Sequence, residues 1–428
     1  MADRVPRVMI LAGEASGDLN GARLAAELKE MLGDVDLFGV GGAKMRQAGV
    51  KLLYDSSAWS AIGIAEAVKI VPRLLPIAHK LRARLRQDTP DLLILIDFGA
   101  FNLCVARNHP GNLKVLYYFP PSSWKRGAKY SKLCGVVDRV VAPFPWTVDA
   151  LRDQGFDADF FGHPLLDVVK PSTPRDEFFR TNALQQDKHL VGLLPGSRKQ
   201  EILNNLPALV VAAGRMLEAN GDLQFAIPLA PSVSEEMVAM ELGKLPWVAV
   251  QTSRNDGESH KAKISSLPLA DRVRELASHD GFIPPKRPIP IAVLPGMAHD
   301  VLAYSRAAAV TSGTATVEAA ILGCPMVIFY RGNRITELEY NIRCRNIKFV
   351  GAPNIILDRL ACPELLGRVA SPERIYFELM KLIEETPERA EMLRSLQEVK
   401  AVLGSPGAVK RTAEVVLELL GIEKLEIS

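Results

Sequence analysis

Short, mostly apolar runs alternate with longer segments of helical periodicity through both halves of the chain. In the first half the runs are Val8 to Leu11, Asp36 to Val40, Leu92 to Ile96, Val115 to Phe119 and Arg139 to Ala142. Helical patterns fall at about Leu19 to Met31 and across 61 to 87. The second half repeats the alternation, with runs at Leu190 to Leu194, Leu223 to Pro228, Ile291 to Leu294, Ala308 to Thr311 and Met326 to Phe329. Continuous apolar runs separated by helices belong to parallel sheets covered on both faces. The pattern therefore predicts an α/β chain of two Rossmann-like, doubly wound domains facing a cleft, with ligands held at the turns after the strands. The polar, proline-bearing stretch Val169 to Asp187 separates residues 1–170 from residues 188–407. A last helix, about Ala408 to Gly421 within 408–428, packs back on either domain. Residues 252–290, with Ser253-Arg-Asn-Asp-Gly and Ile283-Pro-Pro-Lys-Arg-Pro, break the pattern and read as an inserted loop or flap.

Composition narrows the functional classes. A chain of 428 residues with 48% hydrophobic and 24% charged residues has ample material for two cores and is no candidate for disorder. A net charge of +3 gives no reason to expect a nucleic-acid partner. The five cysteines lack CxxC spacing and suit reduced thiols in a cytosolic protein. The histidines show neither HExxH nor paired spacing, so neither a metal nor a cofactor is expected. GxxxxGK[ST] and GxGxxG are both missing, which speaks against a P-loop NTPase and a dinucleotide dehydrogenase. No apolar stretch approaches a membrane span, and Val8 to Ala12 is too short for a secretory signal. Segment 58–86 nonetheless joins Trp59, Ile62, Ile64, Val68, Ile70, Val71, Leu74 and Leu75 to Lys80, Arg82, Arg84 and Arg86. That pairing suits peripheral contact with an anionic membrane, and it equally suits a helix that faces the core with a solvated basic end.

Candidate chemistry lies at the strand ends. Gly13-Glu14-Ala15-Ser16-Gly17-Asp18 follows the first strand; its glycines permit close backbone approach, and Ser16 or Asp18 also suits a helix cap. Gly39-Val-Gly-Gly42 is a weaker glycine turn. Asp97-Phe-Gly-Ala-Phe-Asn102 sets a carboxylate and an amide after another strand, where Asp97 is able to accept a proton or to cap the turn. His163, in Phe161-Gly-His-Pro164, suits hydrogen-bond donation to an oxyanion or an ordinary loop. In the second half, Pro195-Gly196-Ser197-Arg198-Lys199 ends a strand and opens a helix, which suits a diphosphate. Ser312-Gly313-Thr314 occupies the equivalent place before another helix, with Glu318 one turn on to reach sugar hydroxyls.

In that order the motifs resemble the lipid-A-disaccharide synthase family over nearly the whole chain. The resemblance rests on the segments above together with Leu193 to Arg198, Ser312 to Glu318, Pro325 to Arg331 and Pro353-Asn-Ile-Ile356. It implies a metal-independent, membrane-peripheral glycosyltransferase of the glycosyltransferase-B architecture, acting in the cytoplasm on the inner face of the membrane as a homodimer. The implied reaction joins a UDP-linked diacylglucosamine to a diacylglucosamine 1-phosphate and releases UDP. The resemblance puts UDP on the second domain, at Gly196, Ser197, Arg198, Ser312, Gly313, Thr314, Thr316 and Glu318. Glu14, Ser16, Asp18 and Asn102 fall on the acceptor side, with Asp97, Glu14 and His163 as catalytic candidates. Two departures stand out. The family's Asp-Ala-Pro-Asp-Phe-Asn has its proposed base where this chain has Ala100, and Ser-Pro-Ser-Val-Trp-Ala-Trp-Arg is replaced by Pro120-Pro-Ser-Ser-Trp-Lys-Arg126. A UDP-sugar epimerase and a non-catalytic UDP-sugar-binding relative are the alternatives.

Overall fold

A computed structural model describes residues 4–57, 59, 64–230, 233–252, 268–331 and 348–422, with side chains of 64–71 excepted. It divides into one unit of residues 1–167 with 402–428 and a second of 168–401.

The first unit carries β1 (Arg7–Ala12), β2 (Asp36–Gly41), β3 (Lys51–Asp55), β4 (Leu92–Ile96), β5 (Lys114–Tyr118), β6 (Arg139–Val141) and β7 (Ala158–Asp159). They lie in the order β3-β2-β1-β4-β5-β6-β7, and every pair is parallel. Alternate residues feed two cores, which is why the strands read as unbroken apolar runs. Met9, Leu11, Leu93, Leu95 and Tyr117 pack with Leu74, Leu81 and Leu85 of the helix Ile64–Gln87. Val8, Ile10, Leu92, Ile94 and Leu116 pack instead with Leu24 and Leu28 of the helix Ala15–Leu32. Val409, Ala413 and Val416 of the helix Ala408–Leu420 join that second core, so the end of the chain belongs to the first unit.

The second unit carries β8 (His189–Leu194), β9 (Leu223–Leu229), β10 (Val248–Thr252), β11 (Ile289–Pro295), β12 (Ala307–Thr311), β13 (Met326–Tyr330) and β14 (Glu364–Leu366). Their order is β10-β11-β9-β8-β12-β13-β14, again parallel throughout. The expected loop over 252–290 is corrected here. Its second half contains the helix Leu269–His279, with Leu269, Ala270 and Val273 fully buried, and then the start of β11. The proline cluster masked a crossover, because Pro284, Pro285 and Pro288 crowd the linker and leave the helix itself free of proline. Residues 253–267 lie outside the described residues.

Segment 58–86 is also clearer. Over the described part, Leu74, Ala78, Leu81 and Leu85 face the core. The Arg82 guanidinium donates to the Cys104 carbonyl, Arg84 pairs with Asp88 at 3.5 Å, and Arg86 donates to the Asn108 carbonyl at 3.5 Å. Leu75 is exposed. Residues 58 and 60–63 and the side chains of 64–71, including Ile62, Ile64, Val68, Ile70 and Val71, lie outside the described residues.

Candidate functional site

In the first sheet the chain winds from β1 towards β3 on one side, then crosses to β4 and continues to β7 on the other. The loops after β1 and β4 therefore diverge, which opens a crevice at their carboxyl ends. Glu14 and Ser16 follow β1, and Asp97 follows β4. The Ser16 hydroxyl donates to Asp97 Oδ2 at 3.2 Å. Burial first, and the nearby Glu14 carboxylate second, push the Asp97 carboxyl up to about 6, against the lowering effect of the Ser16 bond.

Asp97 sits in a strained turn. Its φ is 48° and that of Phe98 is 43°, left-handed values uncommon for residues with a side chain. Several groups hold the turn there. The buried Asn102 amide donates to the carbonyls of Asp97 at 2.8 Å and Ile96 at 3.1 Å, and the Tyr117 hydroxyl donates to the Asp97 carbonyl at 2.8 Å. The Phe98 ring fills the space beside Gly13, where a Cβ would lie 2.1 Å from ring carbon Cδ1. That contact explains one of the motif's glycines: a side chain at 13 would drive out Phe98 and with it the Asp97 turn. Ala100 is exposed on the first turn of the next helix, Gly99–Ala106, and carries no proton acceptor.

Asp18 has a different position. Its carboxylate is buried and accepts from the backbone N–H groups of Gly42 at 2.7 Å, Met45 at 3.0 Å and Lys44 at 3.1 Å. It thus caps the helix Ala43–Gln47 and anchors the Gly39 to Gly42 turn. His163 is buried between the Phe119 and Phe144 rings, with centroids at 6.0 and 5.8 Å. Burial, then the charge of Arg23, lowers its pKa to about 4, so the imidazole is neutral near neutral pH. Nδ1 accepts from the Leu165 N–H at 3.2 Å, which leaves Nε2 as the donor.

In the second sheet the winding reverses between β8 and β12, which brings the turn Pro195 to Arg198 beside Ser312 to Thr314. The helix Lys199–Ala219 starts just after Arg198. Two of its N–H groups are not open as the motif suggested. Glu201 folds back to accept from the N–H groups of Ser197 at 2.9 Å and Arg198 at 3.2 Å. Glu201 also pairs with the half-exposed Arg198 guanidinium at 3.2 Å. Gly196 permits this approach: at φ 116°, a Cβ there would lie 2.5 Å from Glu201 Oε2.

Among the described residues the other helix start is open. None of them has an atom within 4 Å of a would-be Cβ at Gly313 (φ 147°), and Gly313 and Thr314, at the start of the helix Thr314–Ile321, are exposed. Ser312 and Thr316 brace this start. The Ser312 hydroxyl donates to the Val350 carbonyl at 3.0 Å, and the buried Thr316 hydroxyl donates to the Gly313 carbonyl at 2.8 Å. Glu318, partly exposed one turn on, lies 3.8 Å from His299 Nε2.

One residue that holds the site together was missed from the sequence. The buried Asn205 donates to the Pro195 carbonyl at 2.8 Å and accepts from the Arg331 N–H at 2.9 Å. Thr311 adds a bond from its hydroxyl to the Leu194 carbonyl at 2.8 Å. Together they lock the ends of β8, β12 and β13. The available signal was a single amide on the apolar face Ile202, Leu206, Leu209 of a helix.

Two parallel seven-stranded units, each with a glycine-bearing turn at its switch point, define a doubly wound α/β protein of the glycosyltransferase-B class. The family model described as lipid-A-disaccharide synthetase matches residues 8–268 and 286–416, and the chain belongs to that family. The unmatched gap, residues 269–285, contains the whole of the helix Leu269–His279. The lipid-A-disaccharide synthase of Syntrophus aciditrophicus is 32% identical over 96% of this chain and 97% of its own. That of Geobacter sulfurreducens is 35% identical over 97% of each. Among solved structures, an S. aureus MnaA–UDP co-structure superposes with a TM-score of 0.57 at 13% identity, covering 99% of both chains, which shows a shared fold.

Proposed function

We propose that this family member moves a diacylglucosamine unit from UDP to the sugar hydroxyl of a diacylglucosamine 1-phosphate, releasing UDP and leaving a β-1,6-linked disaccharide. Membership of the lipid-A-disaccharide synthetase family over nearly the whole chain carries this reading. The geometry supports roles for particular residues. The open start of the helix Thr314–Ile321, together with Arg198, suits the diphosphate: helix N–H groups and a guanidinium both stabilise the charge that develops as UDP leaves. Glu318 suits the ribose hydroxyls. Glu201 tethers Arg198, and Asn205 ties the Pro195 carbonyl to the Arg331 N–H and to the Thr311 hydroxyl at 3.4 Å.

Asp97 is the proton acceptor in this reading. With alanine at 100, it is the carboxylate at the end of β4, and a pKa near 6 leaves it ionised yet basic near neutral pH. Burial, and after it Glu14, keep that pKa high, and Ser16 orients the carboxylate. The neutral His163 is a hydrogen-bond donor for developing negative charge. The enzyme works in the cytoplasm, peripherally on the inner face of the membrane, as a homodimer. Among the described residues no helix is long and apolar enough to cross a membrane. The test is incubation with UDP-diacylglucosamine, with and without the lipid phosphate. Disaccharide formed only with both substrates is expected; an epimerised UDP-sugar, or no product, would overturn the assignment.

A further inference from the structure

The loop between β5 and β6 combines features that the reaction as described does not use. From Phe119 to Val137 it holds Lys125, Arg126, Lys129 and Lys132 and no carboxylate. All four cations are exposed, and so is Trp124, at 43%. The loop is firmly anchored. The Ser123 hydroxyl donates to the Pro120 carbonyl at 2.5 Å, and the Ser123 carbonyl accepts from Trp146 Nε1 at 3.0 Å and the Thr147 hydroxyl at 2.9 Å. Phe119 (φ 62°) and Ser122 (φ 66°) are left-handed residues on either side of Pro120-Pro121. Such strain persists only where the surroundings enforce it, and it gathers at ligand sites.

The loop also adjoins the reacting carboxylate. β4 and β5 are parallel neighbours, with Ile96 beside Tyr118. The two loops that follow them touch: a Cβ at Gly99 would lie 2.6 Å from Pro121 Cγ. Beyond that contact is an aromatic stack. The Trp124 and Phe144 ring centroids are 4.6 Å apart, Phe144 and Trp146 stack nearly parallel with centroids 4.4 Å apart and an interplanar angle of 5°, and the Arg126 guanidinium lies 4.3 Å over Trp146. Stacking fixes the guanidinium plane through its face, whereas phosphate is recognised through its edge.

We infer that this loop is the docking site for the acceptor's phosphomonoester, with Arg126 and Lys125 as the anion contacts and Trp124 as the apolar surface beside an acyl chain. The inference rests on the reading of the protein as a lipid-acceptor transferase and adds the substrate part and the residues that take it. Phosphate bound here positions the sugar hydroxyl next to Asp97; the loop residues bind and position, and take no part in proton transfer. Lys129 and Lys132 add a general attraction that falls with salt.

The test is steady-state transfer with each substrate varied in turn. Arg126→Ala and Lys125→Ala are expected to raise KM for diacylglucosamine 1-phosphate about tenfold or more, while changing KM for the UDP-sugar less than about threefold. Arg126→Lys recovers only part of the loss. Acceptor without its phosphate should be poor for the wild type and no worse for Arg126→Ala. Unchanged acceptor KM in active variants overturns the inference while leaving the proposed reaction intact. If the wild type makes no disaccharide, the proposed reaction fails separately, and docking is read from tryptophan fluorescence instead. Phosphorylated lipid should then quench the wild type and not the Trp124→Phe variant, and identical responses to phosphorylated and unphosphorylated lipid would again overturn it. Melting curves of each variant confirm that it is folded.

Discussion

Asp97, the proton acceptor of the proposed reaction, also sits in a strained turn. Its carboxyl is raised to about 6, above the ordinary aspartate value that an unfolded chain would show, so the folded state favours the protonated form. Its contribution to stability is therefore greatest below about pH 4 and is lost as pH rises through about 6. Activity should run the other way, with kcat/KM climbing through about pH 6 as the base ionises. Asp97→Asn is expected to lower turnover by about 10²- to 10⁴-fold while melting at or above the wild-type temperature at pH 7.5. If Ala100→Asp raises turnover and Asp97→Asn leaves it untouched, the base has been misassigned. Asn205 makes the opposite case, a side chain with no chemistry whose loss is felt in the site. Asn205→Ala leaves the Arg331 N–H and the Pro195 carbonyl without this partner, and urea unfolding should show a loss of about 1–3 kcal/mol together with weaker UDP binding.

At the scale of elements, the helix Ile64–Gln87 shows how an amphipathic pattern divides between core and surface. Its apolar positions from Leu74 onward are mostly spent on the first unit's core, and Arg82, Arg84 and Arg86 bond within the unit. The triple alanine variant of those arginines should therefore pellet with anionic vesicles as the wild type does at low salt, while its melting temperature falls. Reduced pelleting without a change in melting would instead give these arginines a membrane role. The short helix Ala43–Gln47 depends on a remote cap, since Asp18 of another helix receives its first N–H groups. Asp18→Ala should cost about 1–3 kcal/mol in urea unfolding, and Asp18→Asn somewhat less.

For the whole molecule, UDP is expected to bind the second unit alone. Arg198→Ala and Glu318→Ala should each weaken binding by about 1.5–3 kcal/mol in calorimetric titration, and binding should persist in chelator. Unchanged affinity in both variants would put the nucleotide elsewhere. The alternation of apolar runs and helices already determined the α/β class and most of the strands, because strands buried on both faces leave a continuous apolar signature. Edge strands such as Lys51–Asp55 and Val248–Thr252 escaped it, since they are partly exposed and carry polar residues. The order of glycine turns likewise identified the family, because close backbone approach admits few other residues there. Tertiary structure alone decided which polar groups at those turns serve the fold. From the sequence, Asp18, Asn102 and Ser312 look as available to substrate as Ser16 and Thr314. Only the folded chain brings Gly42, the Asp97 turn and Val350 within hydrogen-bonding distance of those three. Likewise, the raised pKa of Asp97 comes from desolvation and from a neighbour on another strand's loop, a long-range electrostatic effect that no local pattern encodes.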